Sequence, residues 1–116
     1  MLSRMYAVIL ASTALIALVH PQANAQSLET GNSLLERCKS SNAGSAVYCL
    51  GYISGVADSM AAGNVINNAK ACFSAAATEG LLQEVVVAFL ERNQDLRTYA
   101  AVGLVATALK HGFPCP

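Results

Sequence analysis

Apolar residues recur at helical intervals in the segment that follows Thr78 and Glu79. They occupy positions i, i+3, i+4, i+7 and i+8: Leu82, Val85, Val86, Phe89 and Leu90. Polar residues take the opposite face, which is the pattern of an amphipathic helix. Because a threonine followed by an acidic residue is a common helix start, the pattern predicts a helix that begins near Thr78.

A second apolar stripe predicts a helix over residues 45–62. Its members are Cys49, Ile53, Val56 and Met60. Gly51 and Gly55 lie one turn apart beside this stripe, and each glycine inside a helix costs about 1 kcal/mol relative to alanine. We therefore expect a neighbouring helix to pack closely across the two glycines, with a purely local bend as the alternative.

The last predicted helix covers residues 96–110, with Asp95 as its N-cap. It carries no charge between Arg97 and Lys110. Such a helix is either central to the fold or buried in a subunit interface. Gly112 is expected to end the helix in the left-handed conformation.

With a short helix over residues 33–39, the pattern predicts an all-α domain, a small four-helix bundle. Residues 63–77 form the longest irregular stretch. They include several polar residues of the kinds usually found at protein surfaces: Asn64, Asn67, Asn68 and Lys70. A loop of about 15 residues in a compact domain is often functional. The alternative is a passive connector.

Residues 1–25 have the three parts of a secretory signal peptide. Arg4 gives the positive start, residues 6–19 are almost wholly apolar, and residues 23–25 form a small-x-small cleavage site. About 13 apolar residues are too few to span a bilayer, which needs roughly 20. We expect residues 26–116 to be a single exported, soluble domain without a membrane partner. An uncleaved N-terminal anchor is the alternative.

Charge excludes one class of partner. Residues 26–116 contain six basic and seven acidic side chains, close to neutral and without a basic stripe. The chain therefore lacks the electrostatic signature of nucleic-acid binding.

Four cysteines follow the predicted signal peptide: Cys38, Cys49, Cys72 and Cys115. An even count in a small exported chain indicates disulfides. A zinc site is the alternative, but the spacings are 10, 22 and 42 residues, without a Cys-x-x-Cys pair, and only one histidine accompanies them. We therefore expect no metal and no cofactor.

In an up-down bundle, Cys38 would pair with Cys49, and Cys72 with Cys115, and this is the scheme that we prefer. The crossed scheme, Cys38 with Cys115 and Cys49 with Cys72, is possible if the long loop doubles back. Loop-closure entropy does not separate the two, at about 7 and about 8 kcal/mol in total.

The sequence contains few residues that could carry out catalysis. His111 is the one histidine outside the leader, and its place at a helix end favours a structural role. We expect no catalytic residue and no enzyme. Tyr48 and Tyr52 lie four residues apart on one helix face, which suits a recognition surface or a dimer seam. Core packing with the hydroxyls at the rim is the alternative.

The stretch of residues 49–58, Cys-Leu-Gly-Tyr-Ile-Ser-Gly-Val-Ala-Asp, resembles the signature helix of the Rap/Tai type of immunity proteins of type VI secretion. Further elements agree in order and rough spacing: Leu35 with Cys38, residues 82–90, residues 106–109, and the final Phe113-Pro114-Cys115. The chain departs from the family pattern after Cys72, where Phe73-Ser74 replaces a nearby proline. It also departs at Asn93-Gln94, which replaces a break of the His-Pro kind.

The resemblance implies a periplasmic, all-helical protein that binds a peptidoglycan amidase effector and blocks its cleft, often as a homodimer. The expected contact residues are Tyr48, Tyr52, Asn64, Asn67, Asn68 and Lys70. The alternative function is a small periplasmic holdase that loosens in acid as its carboxylates are protonated. In that case the uncharged last helix would supply the apolar surface.

Overall fold

The computed structural model describes residues 28–116, which form four helices without a named strand. The helices are α1 (Gly31–Lys39), α2 (Ala43–Ala61), α3 (Glu79–Arg92) and α4 (Ala101–Gly112), with a short 3₁₀ turn (Gln94–Leu96) before α4. The expected all-α, disulfide-stapled four-helix bundle is confirmed. The predicted signal peptide, and with it the domain boundary at residue 26, lies outside the described residues.

Side-chain caps start the first three helices. Thr30 and Ser33 form a capping box at α1, Asn42 accepts from the Ser45 amide at α2, and Thr78 accepts from the Leu81 amide at α3. The predicted start near Thr78 is confirmed. The helices α1 and α2 each begin two residues earlier than the apolar stripes indicated, because the cap residues precede those stripes.

The predicted start of the last helix is wrong. Asp95 and Leu96 belong to the 3₁₀ turn, and α4 begins at Ala101 without a side-chain cap. The reason is a tertiary backbone pairing. Ala100 is extended and forms an antiparallel bridge with Thr30, so the chain cannot be helical there.

The helix α4 carries its basic residues, Lys110 and His111, in its last turn, and it has the largest share of buried residues among the four helices. Its buried residues are Ala101, Leu104, Val105, Ala106, Ala108 and Leu109. The apolar stripe predicted for α2 is buried, with Cys49 and Ile53 at 0% exposure. In the stripe predicted for α3, Leu82, Val86 and Leu90 are buried, whereas Val85 and Phe89 are half-buried. Burial of this shared apolar surface is the main driving force for packing the helices together.

The close approach expected at Gly51 and Gly55 is wrong. Both residues are exposed on α2, and a Cβ built on either would meet nothing within 4 Å. The close approaches are elsewhere. A Cβ on Gly31 would lie 2.6 Å from Leu104 Cδ1 and 2.9 Å from the Arg97 Cα, and one on Gly112 would lie 2.7 Å from Val85 Cγ1.

Gly112 also differs from its expected conformation. It is the last residue of α4, and Gly63 is the glycine with a positive φ within residues 28–116. The absence of a side chain at Gly112 therefore serves packing against α3 rather than a left-handed helix end.

Two disulfides confirm the preferred pairing. Cys38–Cys49 joins α1 to α2, and Cys72–Cys115 joins the segment after α2 to the C-terminal tail. The crossed scheme is therefore excluded, and no cysteine is left as a free thiol. Disulfides of this kind typically stabilise a small domain by about 2–4 kcal/mol each.

None of the helices within residues 28–116 combines the length and apolar character that crossing a membrane requires.

Replacing Gly31 with alanine should destabilise the protein by roughly 1–3 kcal/mol, because the added methyl group must displace Leu104 and the Arg97 backbone. The matched control is Gly51→Ala, at an open position inside a helix, which should stabilise the protein by up to about 1 kcal/mol. Urea unfolding followed by circular dichroism measures both. Equal effects of the two substitutions would contradict the packing described for Gly31.

Candidate functional site

The loop of residues 63–70 has a defined backbone. Gly63 follows α2 with a φ of 97°, and the Asn64 side chain donates to the Ser59 carbonyl at 3.0 Å. Ile66 and Ala69 bond each other's backbone, with Asn67 and Asn68 between them.

Both of these asparagines are left-handed, with φ values of 51° and 57°. Asparagine adopts this conformation more readily than most residues. Asn67 and Asn68 therefore form the tip of a tight turn.

Three contacts attach this loop to α4 and the C-terminal tail. Ala69 is 2% exposed, which buries the base of the turn, and the Asn67 side chain packs against Gly103. Beyond the loop, the Cys72 amide donates to the Phe113 carbonyl at 2.9 Å, next to the Cys72–Cys115 disulfide. The loop is thus held at both ends while its polar side chains stay exposed.

A groove lies between this loop, α3 and the first turns of α4. We call it the α4 groove. Its volume is about 530 Å³, and its lining is mainly apolar: Ile66, Phe89, Leu96, Tyr99, Val102 and Leu104, with Asn67 and Thr107. Tyr99 is 64% exposed at its rim.

A second depression lies on the other side of the same loop. We call it the basic depression. It has a volume of about 490 Å³ and is bordered by Asn68, Lys70, Lys110 and His111. His111 also packs edge-on against Phe89, with ring centroids 6.1 Å apart.

Tyr48 and Tyr52 lie on another part of the molecule. Their rings stack with centroids 6.1 Å apart, and the Arg37 guanidinium lies 4.3 Å above the Tyr48 ring. Tyr52 is half-buried against the core. Tyr48 and the end of α2 at Ala61 are 13 positions apart, which is about 20 Å along a helix.

The six predicted contact residues therefore form two groups. The polar loop residues Asn64, Asn67, Asn68 and Lys70 lie together, and the tyrosines lie near the other end of α2. Their role in partner binding stays a prediction for both groups.

The buried carboxylate Glu29 was not among the predicted site residues. It is 4% exposed, its Oε2 lies 3.3 Å from Arg37 Nε, and it accepts a hydrogen bond from the Ser33 hydroxyl. Its backbone carbonyl accepts from the Ala101 amide, which ties it to α4. Ser33 and Arg37 lie four residues apart on one face of α1, whereas Glu29 precedes the N-cap Thr30 and reaches them from outside the helix. Helical spacing within α1 therefore did not reveal the cluster.

Opposing effects act on the pKa of Glu29. Burial alone raises this pKa, but hydrogen bonds from Ser33 and Tyr48 and the charge of Arg37 together hold it below its ordinary value. The pKa of Tyr48 is raised, mainly by its hydrogen bond to Glu29 and to a lesser extent by burial. Burial also raises the pKa of Tyr52. Tyr48 therefore has a structural role through Glu29.

Within residues 28–116, no three histidine, cysteine or acidic side chains come together in a way that would hold a metal ion. The zinc alternative is excluded for the cysteines in particular, because all four sulfurs are in disulfides.

A small helical domain that is stapled by disulfides and presents an anchored loop is a scaffold typical of binding proteins. The comparison with known families agrees. The chain matches the Rap1a immunity proteins over residues 30–115, and it belongs to this family. The resemblance carried by residues 49–58 and by the final Phe113-Pro114-Cys115 is thereby confirmed. No curated protein matches the chain.

The two disulfides should differ in their sensitivity to reduction. Cys72 and Cys115 are both exposed, whereas Cys49 is fully buried. A limiting amount of phosphine reductant under native conditions should therefore open Cys72–Cys115 first, because attack on a disulfide requires access to its sulfur. Alkylation followed by mass spectrometry identifies the labelled pair. Earlier labelling of Cys38 and Cys49 would contradict the expectation.

Opening that disulfide should also loosen the loop and speed tryptic cleavage after Lys70. The variant with Cys72→Ser and Cys115→Ser should show the same faster cleavage without reductant.

Glu29 should make stability depend on acidity. Because its pKa is lowered in the folded state, its stabilising effect is complete above the unfolded value of about 4.3 and is lost as pH falls through the folded value. Glu29→Gln should cost roughly 1–3 kcal/mol at neutral pH and flatten the acid dependence. Glu36→Gln, at an exposed position of the neighbouring helix α1, is the matched control. Equal pH profiles for wild type and Glu29→Gln in urea unfolding would contradict this role.

Proposed function

We propose that the protein is a periplasmic immunity protein that binds a peptidoglycan amidase effector of type VI secretion and occludes its cleft. Membership of the Rap1a immunity protein family supports an effector as the partner. The predicted signal peptide and the two disulfides fit an exported protein. Inhibition by occlusion requires no catalytic group on the immunity protein.

The observation that carries this proposal is the anchored 63–70 loop. Its tip residues Asn67 and Asn68 are exposed, while the Ile66–Ala69 bonds and the Cys72–Cys115 disulfide hold the backbone. A loop that is already ordered loses less conformational entropy on binding, so more of the contact energy appears as affinity. A short ordered turn is also convex, which suits insertion into the concave site of an enzyme.

The family resemblance also implies a homodimer. Val47 is 71% exposed and Tyr48 is 42% exposed on adjacent positions of α2, which supports a contact surface at that end of the molecule. In this proposal the tyrosine face serves the second copy or the effector, while the 63–70 loop serves the effector.

The test combines protection and binding. The protein, exported with its own leader, should rescue cells that express a type VI secretion amidase effector in their periplasm. The purified proteins should form a stoichiometric complex without amidase activity. Absence of both protection and complex formation with this amidase and with a panel of related effectors would refute the proposal.

Asn68→Gly should weaken inhibition by roughly tenfold, which is the effect of losing a contact worth about 1.4 kcal/mol. Glycine accepts the left-handed backbone of this position, so the turn is kept and only the side chain is lost. Asn42→Gly, the same change at the exposed cap of α2, is the matched control and should inhibit like wild type. Inhibition constants from amidase assays, with thermal unfolding as a folding check, decide the outcome.

A second candidate function, an acid-activated holdase, is supported by the Glu29 cluster. Protonation of this buried carboxylate would weaken its bonds to α1 and α2 and expose apolar surface on α4. Dye binding and aggregation suppression between neutral pH and about pH 2 test this candidate. Unchanged compactness in acid would exclude it.

A further inference from the structure

The α4 groove and the basic depression differ in chemistry although they are neighbours. The groove is uncharged and mainly apolar, and its rim carries Tyr99 and Val102, which are 64% and 36% exposed. The basic depression is bordered by Lys70, Lys110 and His111. The 63–70 loop contributes to both, with Asn67 at the groove and Asn68 and Lys70 at the basic depression.

The cations of the basic depression are not neutralised by the chain itself. Of the three lysines, Lys39 is ion-paired with Glu91 at 3.0 Å. Lys70 and Lys110 form no ion pair within the part of the chain that the structure describes. None of the acidic residues in that part lines the groove or the basic depression. The end of this face at Lys70 and Lys110 therefore carries positive charge that is not paired with an acidic side chain of residues 28–116.

The two depressions lie at a defined separation along α4. Gly103 lies at the groove and Lys110 at the basic depression, seven positions further, which is roughly 10 Å along a helix. A single extended segment of a partner protein covers this distance with three or four residues, at about 3.3 Å per residue.

We infer that this face of α4 docks a segment of the protein partner that carries an aromatic or aliphatic side chain and, three or four residues away, a carboxylate. The apolar side chain fills the α4 groove, and the carboxylate pairs with Lys70 and Lys110. The inference rests on the proposed function, since the partner is the effector. Charge complementarity selects an acidic segment over a basic one.

The first arm of the test uses anilinonaphthalene sulfonate, which joins an aromatic body to an anion, at neutral pH with the full mature protein. Wild type should bind this dye at one site. The double variant Lys70→Gln with Lys110→Gln should weaken dye binding about tenfold. This corresponds to about threefold for each lysine, which is the usual size of the effect of one exposed ion pair. Lys39→Gln is the matched control and should bind like wild type. Absence of dye binding to wild type, or equal binding by the double variant, overturns the chemistry assigned to this face.

The second arm measures the affinity of the amidase effector for Val102→Asp. Val102 is the second residue of α4, where an acidic side chain suits the helix N-terminus, so folding is preserved. A carboxylate at the groove should repel an acidic segment and weaken binding at least tenfold, the size of a hot-spot loss. Leu81→Asp, at an exposed apolar residue in the first turn of α3, is the matched control.

Two failures are distinguishable. If wild type neither binds nor inhibits an effector, the proposed function fails. If wild type binds the effector and Val102→Asp binds equally well, or only Leu81→Asp loses affinity, the docking face is wrong while the proposed function stands. Displacement of the dye by soluble peptidoglycan fragments, but not by the effector, overturns the inference in favour of a saccharide–peptide ligand.

Discussion

The backbone pairing between residues 29–31 and residues 99–101 organises this small fold. Two hydrogen bonds form this pairing. The Gly31 amide donates to the Tyr99 carbonyl at 3.0 Å, and the Ala101 amide donates to the Glu29 carbonyl at 2.9 Å. The pairing determines where α4 begins and brings α1 against it. It also explains the buried glycine, because a side chain at Gly31 would meet the Arg97 backbone. This pairing also buries Glu29. The cost of burying its carboxylate is offset by hydrogen bonds and by a nearby cation.

The helix α4 supports both the core and the candidate recognition face. Its inner side supplies the buried apolar residues, and its outer side carries the 63–70 loop, the α4 groove and the basic depression. The Cys72–Cys115 disulfide connects the end of this helix to the segment that carries the loop. A candidate binding face on the most buried helix of the fold is held rigidly, because its supporting side chains cannot move without disturbing the core.

Local signals made most of the helices predictable. Apolar periodicity and Thr78 located α3, and the stripe from Cys49 to Met60 identified the buried side of α2. Such patterns succeed because they reflect the geometry of one helix and one buried side. The disulfide pairing preferred for an up-down bundle is the observed one, but the structure was needed to exclude the crossed scheme. The motif of residues 49–58 was sufficient to indicate the family.

The sequence by itself therefore determined the helical class, the cap of α3 at Thr78, the oxidised cysteines and the family. Only the tertiary structure decided where α4 begins, which glycines lie against a neighbour, and that Glu29 is buried. The physical reason is common to all three: each depends on contacts between residues far apart in the chain, and no periodicity within one segment encodes such contacts.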